Sequence, residues 1–401
     1  MRIMILSTRH TGMGHNSIAS AICDSLVDAG CECRIVDMVD ISGGMVGNHC
    51  KSYGKVTNNV PVLWWLAYNV SHMLPNMVNQ VVQRSCKKNF EKEFLDFSPD
   101  CVVSVHPMFV GSVVGIVKSI QPHCQFVTVL ADLVSIHHLW IDKRVDLTIC
   151  PTQESLDIVV KRGIPQDRCR VVQLAIRKQI VQKALAIQPI ANHSDNHNNR
   201  AAHHYTRGVG FYSTNKWVVD KDYSTNHADE LHCMIMSGGE GSGEIIGYAN
   251  DILKLDYVHL SIICGKNDRL KNKCEKLYKQ EKKVTVYGFV DDIADLIAKQ
   301  DLAIVRGSPN VIMECVHLLV PMIVVSTLPG QENGNDDFVI NNGLGIVCQN
   351  NHWIGNCIAG LYKNHKEKLI QIRNRQLEYR DLYASQKIAN QVIDIVSILH
   401  Q

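Results

Sequence analysis

The chain has 401 residues, 46% of them apolar and 20% charged, with a formal net charge of +2. That is an ordinary globular composition, long enough for two domains with a core each, and too near neutrality for nucleic-acid binding driven by bulk charge. Fifteen cysteines, scattered through apolar segments with no CxxC pair, read as reduced thiols of a cytosolic protein rather than a disulfide scaffold.

The chain opens on MRIMILS, a core strand instead of a charged and then apolar leader, so no secretory signal is expected. No apolar run reaches the length that spans a bilayer. Strands are predicted over 3–7 and 33–36, with a helix over 16–29 that Gly30 stops. Residues 61–94 place Trp64, Trp65 and Tyr68 in an apolar stretch followed by Arg84, Lys87, Lys88 and Lys92. Aromatic anchors with a basic flank describe a segment that lies in a membrane interface, or a core helix with a basic end. Short apolar runs at 101–105, 126–130 and 147–150 alternate with helices over 108–119 and 153–162, which gives a Rossmann-like domain over 1–187.

Residues 188–230 are rich in Asn, His, Ser and Asp and lack apolar periodicity, so a mobile polar linker or insertion is expected there. Its histidines (His193, His197, His203, His204) have no zinc-ligand spacing, and Asp220-x-Asp222 follows no strand, so neither predicts a metal. From 231 to 385, five strand–loop–helix units put five loops at one sheet edge, where α/β folds bind ligands. Helices fill the remainder, with a terminal one over 386–401 free to pack back on the first domain.

Three stretches carry chemistry. After the first strand, Gly12 and Gly14 permit close backbone approach, and His15 opens the next helix, where a near-neutral imidazole can take a hydroxyl proton. SGGEGSGEI, with Gly239 and Gly241, suits phosphates or a close acceptor but lacks the ending of a triphosphate loop. In DLAIVRGSPNVIMECVHLLVPMIVVSTLPGQENGN, a strand feeds a Gly/Ser/Pro loop and a helix opening near Asn310. Arg306, Ser308 and Asn310 lie where free N–H groups and the helix dipole suit a diphosphate. Glu314 stands one turn on, where it can accept from a ribose, and Gln331, Glu332 and Asn335 supply groups suited to sugar hydroxyls; the same spacing also suits an ordinary βαβ loop with its polar residues in solvent.

GMGH, ADLVSIHHLWIDKRVDLTICPTQES, GGEGSGEI, ICGKNDRL, VYGFVDDI and PGQENGN occur in the order seen in the monogalactosyldiacylglycerol synthase and processive diacylglycerol glucosyltransferase family, which the chain resembles nearly throughout outside 188–230. The resemblance implies a GT-B fold, α/β, with two Rossmann-like domains facing a cleft, UDP-sugar on the C-terminal one and acceptor lipid on the N-terminal one. It further implies inverting transfer of a hexose from UDP-glucose or UDP-galactose to diacylglycerol, with no cofactor or metal, at the cytoplasmic face of a membrane, where anionic lipid is a candidate partner. By motif match Glu314 contacts the ribose, Gln331 and Glu332 the donor sugar; His15 is the base, Asp132 an alternative base or its orienter, and Trp140 faces the lipid.

The chain departs from the family where a Lys-Pro-Gly-Gly or Lys-Ala-Gly run is replaced by Arg306-Gly307-Ser308-Pro309, with Val311 for a threonine, and where Gln173-Leu174-Ala175 replaces Gly-x-Pro. Proline offers no N–H to a phosphate. The alternatives are a GT-B transferase with another lipid or hydrophobic acceptor, and a catalytically weakened nucleotide- or lipid-binding homologue.

Overall fold

The structure is a computed structural model that describes residues 1–10, 13–43, 47, 61–187, 230–236, 244–348, 350 and 352–398, without the side chains of 13, 61–64, 364 and 365. The 188–229 stretch, with its histidines and Asp220-x-Asp222, lies outside the described residues, as do Gly12, Gly239 and Gly241.

Two six-stranded parallel sheets form the molecule. The first contains β1 (Arg2–Ser7), β2 (Glu32–Asp37), β3 (Cys101–Ser104), β4 (Gln125–Val129), β5 (Leu147–Cys150) and β6 (Cys169–Val171), in the order β2-β1-β3-β4-β5-β6. The second contains β7 (Leu231–Met236), β8 (Val258–Ile263), β9 (Val284–Tyr287), β10 (Leu302–Arg306), β11 (Met322–Ser326) and β12 (Gly345–Val347), in the order β12-β11-β10-β7-β8-β9. Central strands such as β3 and β4 are buried at every residue, because helices cover both faces of a parallel sheet and leave no wet side to alternate with. The edge strands β2 and β9 are half exposed. This is the GT-B architecture.

Strand order determines where a ligand can sit. In the first sheet β1 lies between β2 and β3; in the second β7 lies between β8 and β10. Each is a point where the chain reverses its direction of travel across the sheet, so the loops leaving the strands on either side diverge and open a crevice. The loop and helix after β1 carry His15, the loop after β3 carries His106, and the loop after β10 carries Arg306 to Pro309.

The helix predicted over 108–119 divides into a 3-10 turn, Pro107–Phe109, and a helix, Gly111–Ile120. Pro107 starts the turn, and the His106 ring caps it by accepting the Met108 N–H. β12 was not singled out in the sequence because three residues leave no periodicity to read. After the 26-residue helix Ile354–Tyr379 the chain crosses back at 380–383, where Gln173 bonds both the Tyr379 carbonyl and the Asp381 N–H. The Ala384–Ser397 helix then lies against the Met13–Asp28 helix of the first domain.

Candidate active site

His15 sits in the first turn of the Met13–Asp28 helix and is 7% exposed. Its Nδ1 lies 2.7 Å from the Val105 carbonyl. A carbonyl only accepts, so Nδ1 carries the proton and Nε2 keeps a lone pair. The His106 and Trp140 rings, 4.4 and 6.3 Å away centre to centre, wall the imidazole. Burial brings its pKa down to about 4, against the pull of Val105. At neutral pH it is an uncharged ring with one free basic nitrogen.

Asp132, after β4, is also buried. Trp140 donates its indole N–H to Oδ2 at 2.7 Å, and Gln331 bonds the same carboxyl from the second domain. Burial raises the Asp132 pKa to about 7, these two hydrogen bonds oppose the rise, and the negative charge of Glu332 adds to it. Two expectations are corrected here. The group that orients His15 is the Val105 carbonyl, not Asp132. Trp140 does not face lipid: at 1% exposed it is turned inward, because its N–H needs a partner when buried and Asp132 supplies one.

On the opposite wall stands the Pro309–His317 helix. Pro309 is its first residue, a position whose N–H has no intrahelical acceptor in any sequence and whose φ proline presets. The departure from the family pattern therefore costs one donor, and the first-turn N–H groups of Asn310 and Val311 still face the cleft end of the helix. Asn310 reaches the first domain: a Cβ built on Gly14 would collide with its side-chain amide. The Gly14 backbone and the mouth of this helix are in direct apposition, with His15 beside them.

The carboxylates expected to face a donor are each held by an arginine. Arg177 places Nη2 at 2.6 Å and Nε at 3.1 Å from one oxygen of Glu314, Oε1. Burial raises the Glu314 pKa and Arg177 pulls it partly back. Glu332 pairs with Arg306 at 3.1 Å and accepts the Leu328 N–H at 2.7 Å. Arg306, expected at the diphosphate, is turned toward the loop after β11 by that pair. Asn335 is buried and donates to the Gly307 carbonyl at 2.8 Å, tying the loop after β10 to the loop after β11. Ser308 caps the helix by position, without a side-chain bond.

Of the membrane-side residues, Trp65 is exposed, Trp64 is on the Pro61–Met73 helix with an undescribed side chain, and Tyr68 points the other way. Its ring lies against Gly330 of the loop after β11, because Tyr68 is on the opposite face of the helix from Leu66, Val70 and Met73. Among the described residues, Arg177, the Val105 carbonyl and Ser135 were missed by sequence reasoning. Arg177 follows the altered Gln173–Ala175 block, yet a lone charge after a strand does not reveal its partner.

The buried groups make stability pH-dependent with a defined sign. His15 and His137 are both held to about 4 by burial. The unfolded chain takes up those protons first, so unfolding free energy should rise as pH climbs from about 4 to 6.5. Asp132, raised to about 7, works oppositely over the same range by as much as about 1.4 kcal/mol per pH unit. Asp132→Asn should therefore steepen the rise, as read from urea melts at pH 5 and 6.5. An unchanged slope would contradict the burial of this carboxyl.

Residues 15–176 match the family model of monogalactosyldiacylglycerol (MGDG) synthase, and residues 232–387 match the glycosyltransferase family 28 C-terminal domain. Monogalactosyldiacylglycerol synthase 3, chloroplastic, of Arabidopsis thaliana is 24% identical over all of this chain and 81% of its own length. Monogalactosyldiacylglycerol synthase 2, chloroplastic, of the same plant is 24% identical over 84% of this chain and 68% of its own. Among solved structures, Acinetobacter baumannii MurG superposes with a TM-score of 0.60 at 12% identity, covering 98% of this chain and 99% of that one, a likeness of fold.

Proposed function

The chain belongs to the monogalactosyldiacylglycerol synthase family of glycolipid glycosyltransferases, and from that premise we propose that it transfers a hexose from a UDP-sugar to the hydroxyl of diacylglycerol, with inversion, at a membrane surface. The observation that carries the reading is the apposition of Gly14 and His15 to the mouth of the Pro309–His317 helix. It puts a basic nitrogen and an anion-binding helix end on opposite walls of one cleft.

In this reading His15 Nε2 accepts the hydroxyl proton as the oxygen attacks C1 of the hexose. The C1–O bond to UDP breaks on the far side, and the departing diphosphate is stabilised by the Asn310 and Val311 N–H groups and the helix dipole. Among the described residues Glu314 Oε2 accepts no hydrogen bond, so it is the oxygen available to a ribose hydroxyl while Oε1 stays with Arg177. Gln331, bonded to Asp132, is the residue this reading assigns to the donor sugar. No metal is required, since helix N–H groups take the leaving charge. Labelled UDP-glucose and UDP-galactose offered with diacylglycerol vesicles test the reaction: product from one donor, unaffected by chelator, is expected. UDP binding without product would point to another acceptor or to a binding role.

The membrane enters through an exposed apolar face on the Pro61–Met73 and Pro75–Phe97 helices. Trp65, Leu66, Val70, Met73, Leu74, Met77 and Val81 are all exposed there, Met73 by 78%. The opposite face of the second helix packs Val82, Cys86, Phe90, Phe94 and Phe97 into the core, so the two helices are anchored. No helix among the described residues is long and apolar enough to cross a bilayer, which leaves an interfacial role for this patch. Replacing Leu66, Met73 and Met77 together by serine should weaken binding to vesicles at least about tenfold, because even one fully inserted side chain contributes roughly 1.5–3 kcal/mol and tenfold takes about 1.4 kcal/mol. Sedimentation with unchanged affinity would remove the patch from the account.

A further inference from the structure

We propose that Tyr68 is a positioning residue which couples membrane docking of the Pro61–Met73 helix to the donor-sugar loop. The inference deepens the reading above and rests on it. The helix has two working faces. Leu66, Val70 and Met73 lie outward and Tyr68 and Ser71 inward, the division that helical spacing imposes, with the exposed Trp65 at the border between the two faces.

On its inward face Tyr68 lies against Gly330 of the second domain, the residue before Gln331. A Cβ on Gly330 would lie 2.6 Å from Cδ1, 2.8 Å from Cε1 and 3.1 Å from Cγ of Tyr68. The ring therefore rests on the bare backbone, at a residue whose φ of +89° already favours glycine. Ser135, in the stretch between β4 and β5, donates its hydroxyl to the Gly330 carbonyl at 2.8 Å. The Tyr68 hydroxyl bonds Ser135 in turn. Gly330 is thus held from two sides, and the next residue, Gln331, reaches Asp132.

The helix is fixed to the same block at its other end. The His137 ring stands edge-on to Tyr68 at 4.7 Å and its Nε2 faces the Tyr68 carbonyl at 3.3 Å, while His138 Nδ1 bonds the His72 carbonyl at 2.7 Å. A displacement of the helix cannot be absorbed locally; it moves the tyrosine that seats the sugar loop. A membrane that holds the outward face in place then holds Gly330 and Gln331 in the donor-ready position. Linkage makes the effect reciprocal, so donor binding must tighten membrane binding by the same factor.

The test is UDP-hexose affinity of the full chain, measured by calorimetry with and without phosphatidylcholine–phosphatidylglycerol vesicles that contain no diacylglycerol. The parent should bind the donor about five-fold or more tightly when vesicles are present. Tyr68→Ala should sediment with vesicles as the parent does, yet show no vesicle-dependent tightening. Tyr68→Phe, which keeps the ring and loses only the hydroxyl, should show a reduced tightening and guards against a fold lost in the alanine variant, which a thermal melt checks. Equal tightening in the parent and both variants would overturn the proposal, as would a parent that binds vesicles and donor independently; in that last case the transferase reading survives. A parent that binds neither overturns both.

Discussion

Replacing His15 with alanine should lower sugar transfer about a hundred- to ten-thousand-fold, the usual worth of a positioned general base, while UDP binding and vesicle binding stay within about two-fold of the parent. The prediction follows from the tautomer. The Val105 carbonyl occupies Nδ1, so the only basic nitrogen is Nε2, and nothing else in the described cleft combines a free lone pair with this apposition to the donor helix. Alanine also leaves the Val105 carbonyl without its donor, a stability cost of about 1–3 kcal/mol, so the variant should be assayed well below its melting temperature.

The rival base is Asp132, and pH separates the two. With His15 held to about 4 by burial, kcat/KM should stay level as pH falls through 7 and decline only toward 4. A base at Asp132, raised to about 7, would put the decline near neutrality. Full turnover in His15→Ala, or an acid limb near 7 that Asp132→Asn abolishes together with activity, would transfer the role to Asp132.

Replacing Arg177 with methionine should destabilise the folded chain by about 3 kcal/mol, in the range seen when one partner of a buried ion pair is removed. Glu314 is 7% exposed at its side chain and would keep its charge in a site that burial already disfavours. The pair joins the end of the first domain, just after β6, to the Pro309–His317 helix of the second. Its loss therefore removes a tie between the two domains as well as stranding a charge.

The deficit has a pH signature. Without Arg177 the folded-state pKa of Glu314 lies further above its unfolded value, so the folded chain gains a proton first as pH falls and the deficit narrows from pH 7.5 toward 5. Urea melts of parent and variant at about those two pH values read this directly. Glu314→Gln keeps an acceptor for Arg177 and should cost only about 1 kcal/mol. A deficit in Arg177→Met below about 1 kcal/mol, or one that does not move with pH, would mean that the pair contributes little.

The α/β architecture was legible because parallel strands buried on both faces leave unbroken apolar runs: β5 falls at its expected residues, and the other strands that were singled out fall within a few residues of theirs. β12 was not legible, since Gly345–Val347 is too short for pattern. The site divides differently. Loops after β1 and β10 could be picked out because glycine, proline and a helix start are local signals. What each side chain does there is set by partners far along the chain, 137 residues away for Arg177 and Glu314 and 90 for His15 and Val105. For the same reason Trp140 and Tyr68 read as lipid-facing aromatics. Aromatic character is visible in sequence, while the face it occupies depends on Asp132 and Gly330, which no local spacing reveals.

The central claim is a one-step displacement between His15 on one wall and the Pro309–His317 helix on the other. The most direct test is the anomeric configuration of the glycolipid made from an α-linked UDP-hexose, read from the proton coupling at C1 of the purified product. Single displacement by a hydroxyl held on the His15 side predicts a β-linked sugar. An α-linked product would contradict the account, since retention needs either a covalent intermediate or attack from the face that UDP leaves.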